Sequence, residues 1–139
     1  MTDCVFCRIV AGQLPAQKVF ENDRILAILD INPIAPGHTL VLAKPHHETL
    51  LDLPDDLWDE LSRRSREIAA AVKAATGAEG LNVLSNNHRS SGQAIPHVHV
   101  HLIPRRTGDG IKFQWTPTKY REGELESWAE RIRKPLTRS

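Results

Sequence analysis

The hydrophobic positions fall into short alternating stretches separated by turn residues, with one long helical stripe between them. Residues 4–12 (CVFCRIVAG) place Val5, Phe6, Ile9 and Val10 on one side of a short helix closed by Gly12. Residues 17–21 (QKVFE) and 24–30 (RILAILD) read as two strands joined at Asn22-Asp23, a turn signal. Pro33, Pro36 and Gly37 mark a loop, and residues 38–44 (HTLVLAK) form a third strand. On it His38, Leu40 and Leu42 share one face, and Thr39, Val41 and Ala43 the other. Pro54 opens a helix with Asp55 and Asp56 in its first turn, where the dipole favours acids. Leu57, Leu61, Ile68, Val72 and Ala75 carry its apolar stripe to Thr76, and Gly77 ends it. Residues 81–85 are a fourth strand, 86–93 (NNHRSSGQ) a polar loop, and 97–103 a fifth strand. A turn at 108–110, a short extended piece at 111–115 and a helix over 122–134 follow. The helix puts Leu125, Trp128, Ala129 and Ile132 on one side. This order predicts an α+β fold: an antiparallel sheet of about five strands, one long helix and short terminal helices.

The fifth strand, HVHVHLI, carries the chemistry. His97, His99 and His101 line one face, and Val98, Val100 and Leu102 the other. The aliphatic face belongs in a core. Three imidazoles on one face point to a site, because clustered ionisable groups mark sites. At a rise of about 3.3 Å per residue, His97 and His101 lie about 13 Å apart, too far for one small metal ion. Two readings of the residues remain. His97 and His99 form an H-x-H metal pair, or the three histidines act separately along an extended substrate such as a nucleotide phosphate chain.

Length and charge narrow the class. A chain of 139 residues is one domain with room for a real core. A net charge of +1 gives no broad attraction to nucleic acid or membrane. No long apolar run or leader pattern is present, so a soluble, cytoplasmic protein is expected. Cys4 and Cys7 form a Cys-x-x-Cys pair, either a redox pair or half of a zinc site.

The stretch His97-Val98-His99-Val100-His101-Leu102-Ile103 resembles the signature of the histidine triad (HIT) proteins. Three further stretches resemble the same family in the same order. CVFCRIVAGQLPAQKVFEND is similar to the N-terminal segment of its bacterial branch, LAILDINPIAPGHTLVLAKPHH to its nucleoside-binding stretch, and NNHRSSGQAIPHVHVHLIPR to its phosphate loop and triad. The resemblance covers residues 1–106, taken as the HIT domain; residues 107–139 are expected to be a C-terminal extension packed on the same domain. It implies a homodimer that binds purine nucleoside phosphates, without nucleic-acid or membrane partners. It implies attack on the α-phosphorus by His99, with His101 as phosphate ligand and His38 as the fourth histidine that supports the nucleophile. Asp30 would bind the ribose hydroxyls, although an Asp before Asn-Pro also starts turns. Val5, Phe6, Ile9, Ile28, Leu29 and Ile31 would wall the base pocket, and Asn86, Gly92 and Gln93 would meet the phosphates. Cys4, Cys7, His46 and His97 would form the family's structural zinc set, with His46 preferred over His47. His101, where the transferase branch has Gln, implies a hydrolase, similar to the purine nucleoside phosphoramidases. Two positions depart from or qualify the pattern. Ala94 stands where many members carry a Ser or Thr, and Pro96 precedes the triad. His47 and His88 read as surface histidines.

Overall fold

The computed structural model describes residues 3–136. Residues 137–139, the end of the expected C-terminal extension, lie outside the described residues. The elements run α1 (Val5–Val10), β1 (Lys18–Glu21), β2 (Ile25–Leu29), β3 (Thr39–Ala43), α2 (Asp55–Thr76), β4 (Gly80–Leu84), β5 (His99–Arg105) and α3 (Glu124–Leu136). The five strands form one antiparallel sheet in the order β1-β2-β3-β5-β4. The chain leaves β3, crosses through α2, lays down β4 at the edge, and returns with β5 between β4 and β3. That return puts the histidine strand near the sheet's centre. Leu42 faces His99 and Leu40 faces His101 across the β3–β5 ladder.

Strand alternation sorts the residues onto two faces. Ile25, Ala27, Val41, Ala43, Val98, Val100 and Leu102 pack with Leu57, Leu61, Ile68 and Val72 of α2. On the opposite face Leu26, Ile28, Leu40 and Leu42 pack with Phe6 and Ile9 of α1. Each fully buried Leu or Ile contributes roughly 1.5–3 kcal/mol by leaving water. Leu61→Ala, at a position with no exposure, should cost roughly 2–5 kcal/mol through the cavity it leaves. The α2 stripe ends where the sequence places it, with Gly77 at φ 67° and its N–H on the Lys73 carbonyl. The sheet's α1 face is only partly covered, and the histidines emerge there.

The fifth strand begins two residues later than the pattern suggests. β3 ends at Ala43, before Lys44-Pro45, so His97 and Val98 have no ladder partner. The His97 N–H bonds instead to Ile95 O at 2.8 Å, and the Val98 N–H to His47 O at 2.8 Å. His97 sits in a turn that ties the strand's start to the chain following β3. Its ring still falls on the same side as His99. Residues 111–121 run as irregular chain. In the single chain α3 leaves Leu125, Trp128 and Ile132 exposed. Among the described residues, no helix is long and apolar enough to cross a membrane.

Candidate active site and metal centre

His99 and His101 project from β5 into a cleft of about 490 Å³. α1 supplies Val5, Phe6 and Ile9 to its walls, and the end of β2 supplies Ile28, Leu29, Asp30 and Ile31. The loop before β5 supplies Asn86, Gly92, Gln93 and Ala94. The structure thus gathers in one cleft the side chains that the sequence assigns to base, ribose and phosphate. Ile31 stands at the rim, 87% exposed. His38 is buried behind His101, and His97 lies in a separate cluster.

The hydrogen bonds fix which nitrogen does what. His99 Nδ1 lies 2.7 Å from the His97 carbonyl oxygen, which can only accept. His99 therefore carries its proton on Nδ1 and a lone pair on Nε2. Burial holds its basicity below that of ordinary histidine, against the opposing pull of the His97 carbonyl and Asp30. The ring is therefore neutral at pH 7. Phe6 packs edge-on against it at 5.0 Å between ring centres.

His38 Nε2 lies 2.9 Å from His101 Nδ1 and 3.7 Å from Asp30 Oδ2. Its direct partner is thus His101. Burial pushes His101 down to about 4, and the neighbouring His99 and His38 push it further in the same direction. Burial lowers His38 too, while Asp30 opposes the shift. Asp30 uses its two oxygens differently. Oδ1 accepts the Asn32 N–H at 2.8 Å and makes the turn. Oδ2 faces His38 and the cleft. The turn-forming reading and the ligand-binding reading of Asp30 are therefore compatible, because they need different atoms.

The loop over 86–93 is held by Gln93. Gln93 Oε1 accepts the His88 N–H at 2.7 Å, and Nε2 donates to Glu48 O at 2.6 Å. One hydrogen of Nε2 remains for a ligand. His88, which reads from the sequence as an ordinary surface residue, has φ 71° and ψ 159°. A side chain held there costs of order 1–3 kcal/mol. The clamp by Gln93, together with bonds from Ser91 N and Oγ to His88 O, holds the conformation. No pattern in the sequence signals it. Gly92, at φ 105°, completes the turn beside Asn86 as only glycine does without strain.

The second cluster joins three distant parts of the chain. Cys4 Sγ lies 3.3 Å from His97 Nδ1, Cys7 Sγ 3.3 Å from His46 Nδ1 and 3.6 Å from His97 Nδ1, and the two Nδ1 atoms lie 3.2 Å apart. Zinc bonds of about 2.3 Å to sulfur and 2.0–2.1 Å to nitrogen put tetrahedral neighbours about 3.3–3.8 Å apart. The four side chains match that spacing and could hold a metal ion. His97 Nε2 bonds to the Ala43 carbonyl at 2.6 Å, so its proton sits there and Nδ1 offers a lone pair. Burial brings His97 to about 4, which keeps it neutral. Burial and the neighbouring Cys4 raise the Cys7 thiol, so metal binding there would release protons. Cys4 Sγ also accepts the Cys7 N–H at the start of α1. His46, not His47, presents its ring to the cluster. Phe6 touches both His97 and His99, linking this centre to the cleft.

Known proteins share this fold. A solved protein of Streptococcus mutans UA159 superposes with a TM-score of 0.91 at 40% identity, over 98% of this chain and 87% of its own. The adenosine 5′-monophosphoramidase of Candida albicans is 32% identical, over 97% of this chain and 92% of its own. A zinc-bound histidine triad family protein of Mycobacterium smegmatis superposes at a TM-score of 0.76 and 34% identity, over 97% and 98% of the two chains. The HIT domain pattern matches residues 11–108, and with this fold and these relatives the chain belongs to the HIT domain family.

Proposed function

We propose that this protein is a nucleotide hydrolase that cleaves purine nucleoside phosphoramidates or related adenylates at the α-phosphorus through a nucleotidyl-histidine. The observation that carries the reading is the 2.7 Å contact from His99 Nδ1 to the His97 carbonyl. It leaves a lone pair on Nε2 of a neutral ring at the floor of the cleft, which is what a nucleophile at neutral pH requires. His99 Nε2 attacks phosphorus and the bond to the leaving amine breaks. The amine departs with its electron pair and takes a proton from solvent. Water then attacks the phosphorus and releases a proton to solvent, the phosphorus–nitrogen bond to His99 breaks, and the ring recovers its lone pair. His101 donates to a phosphoryl oxygen, Asp30 accepts from the ribose, and Phe6, Ile9 and Ile28 enclose the base. Asn86, Gly92 and Gln93 bound the phosphate side.

A structural zinc on Cys4, Cys7, His46 and His97 belongs to the same proposal, as do homodimeric assembly, a cytoplasmic setting and close packing of the C-terminal extension. The zinc would supply a closed, tetrahedral tie between α1 and the histidine strand. The H-x-H alternative fits less well, because the His97 lone pair points at the cysteines and away from His99. The amidase activity of the Candida albicans relative supports a phosphoramidate substrate. The test is a panel of adenosine and guanosine phosphoramidates, adenylyl sulfate and dinucleoside polyphosphates. Release of AMP or GMP from the phosphoramidates is expected. Tight AMP binding with no turnover on any member would make the protein a nucleotide-binding module instead.

A further inference from the structure

Asp30, His38 and His101 bring a carboxylate and two imidazoles within 4.8 Å of one another, a set that by composition alone suits a divalent cation. The hydrogen bonding argues otherwise. The Ile34 backbone N–H lies 3.1 Å from His38 Nδ1. A backbone N–H can only donate, so Nδ1 must be an acceptor without a proton. In a neutral ring the proton then sits on Nε2. That nitrogen is the one 2.9 Å from His101 Nδ1. His101 Nδ1 must accept it, so the proton of His101 sits on its own Nε2. His101 lines the cleft, and with Nδ1 committed, Nε2 is the nitrogen left for a ligand.

We propose that the Ile34 backbone N–H fixes a proton order through His38 to His101, and that Asp30, His38 and His101 form a donor relay into the cleft and not a metal site. Ile34 and His38 are positioning residues; His101 is the end of the relay that meets the ligand's acceptor atom, in the cleft that both it and Asp30 line. The assignment of that ligand as a phosphoryl oxygen rests on the proposed hydrolase reading. The relay itself does not.

Three features of the fold support the order. The loop over 30–38 closes on itself, with Asp30 N–H on His38 O, His38 N–H on Ala35 O, and Asn32 N–H on Asp30 Oδ1. Ile34 N–H is thus delivered by a braced loop. Gly37 seats that loop against the end of α2, where a Cβ would meet Thr76 Cγ2 at 2.5 Å. Burial keeps both rings neutral at pH 7, so one hydrogen lies between them, as a contact of this length requires. Asp30 Oδ2, 3.7 Å from His38 Nε2, adds an attraction for a proton at that nitrogen. A cation bound at Nε2 would have to displace this proton while the Ile34 N–H occupies the other nitrogen. That leaves an imidazolate, which is unfavourable near neutral pH.

The consequence is selectivity. The cleft presents a fixed donor at His101 and so prefers an acceptor, such as a phosphoryl or sulfonyl oxygen. It disfavours a donor, such as an amide NH2, at the same point.

The test is nuclear magnetic resonance of the imidazole nitrogens in the nucleotide-free, metal-replete full chain at pH 7. Both His38 and His101 are expected as Nε2-protonated tautomers, with Nδ1 in the unprotonated range. His38 protonated on Nδ1 would overturn the proposal. The second measurement replaces residue 34 by its α-hydroxy acid, which removes only the N–H. His38 should then populate both tautomers, and kcat on a phosphoramidate should fall by a few-fold to about tenfold, the worth of one hydrogen bond. An unchanged His38 tautomer in this ester variant would overturn the role of Ile34. Titration of the zinc-loaded protein with cobalt(II) should give no d–d absorption that Asp30→Asn removes; such a band would restore the metal reading. If the wild type turns over no substrate, the hydrolase reading fails while the tautomer result still decides the relay.

Discussion

Asp30→Asn separates the two uses of this side chain. The substitution keeps an oxygen that can accept the Asn32 N–H, so the turn survives, and it removes the charge that faces His38 and the cleft. A hydroxyl bonded to a carboxylate is worth roughly 1.5–3 kcal/mol, against roughly 1 kcal/mol for a neutral pair. The Asp30 side chain is 19% exposed, so the lower end applies to each of the two ribose hydroxyls. Loss of the charge at both hydroxyls should weaken AMP binding by about 1 kcal/mol, or about fivefold. Removing one hydroxyl from the ligand should cost the wild type about tenfold. In the variant the same deletion should cost about fivefold, a coupling of about 0.5 kcal/mol. Calorimetric titration of both proteins with AMP and 2′-deoxy-AMP measures all four corners of this cycle, and thermal melts check that the loop is intact. Equal discrimination by the two proteins would reduce Asp30 to a turn residue and remove it from the binding site.

Protein purified without added metal should contain one zinc per chain, and chelation should lower the Tm and weaken activity in step, because Phe6 packs on both His97 and His99. His46→Ala should release the metal and His47→Ala should not; two freely titrating thiols and no zinc would end that assignment. Burial gives His101 a folded pKa of about 4, below the usual 6.5. Between these values the unfolded chain binds more protons, so its contribution to stability is present above pH 6.5 and is lost as pH falls toward 4. The full shift is worth about 3 kcal/mol, and roughly half that for a ring which water partly reaches. His101→Gln should flatten this part of the urea-derived stability curve; identical slopes for the two proteins would contradict the assignment.

The sheet was legible because its signal is simple. Period-two alternation in HVHVHLI and HTLVLAK separates core from site on both central strands, and the long apolar stripe ending at Gly77 leaves little choice for α2. The Cys-x-x-Cys spacing marked Cys4 and Cys7 as a redox pair or half a zinc site, but His46 joined them only through resemblance, since sequence spacing does not bring them together. Other features depend on where hydrogen bonds fall in three dimensions. The strand starts at His99 because Pro45 ends its partner. His88 takes a strained backbone because Gln93 grips it. The fourth histidine serves His101, which follows from a contact no periodicity encodes. Backbone groups are invisible in this sense: the carbonyls of Ala43 and His97 and the N–H of Ile34 set three tautomers, yet any residue could supply the carbonyls and any but proline the N–H.

The central claim is that His99 becomes covalently bonded to the nucleotide. Rapid acid-free quenching of the enzyme with an adenosine phosphoramidate, followed by peptide mass analysis, tests it most directly. The account predicts an adenylyl group on the peptide that contains His99, labile in acid, discharged by water at a rate no slower than turnover, and absent with turnover lost in His99→Ala. Near-normal turnover by His99→Ala, or an adduct found only elsewhere, would contradict it.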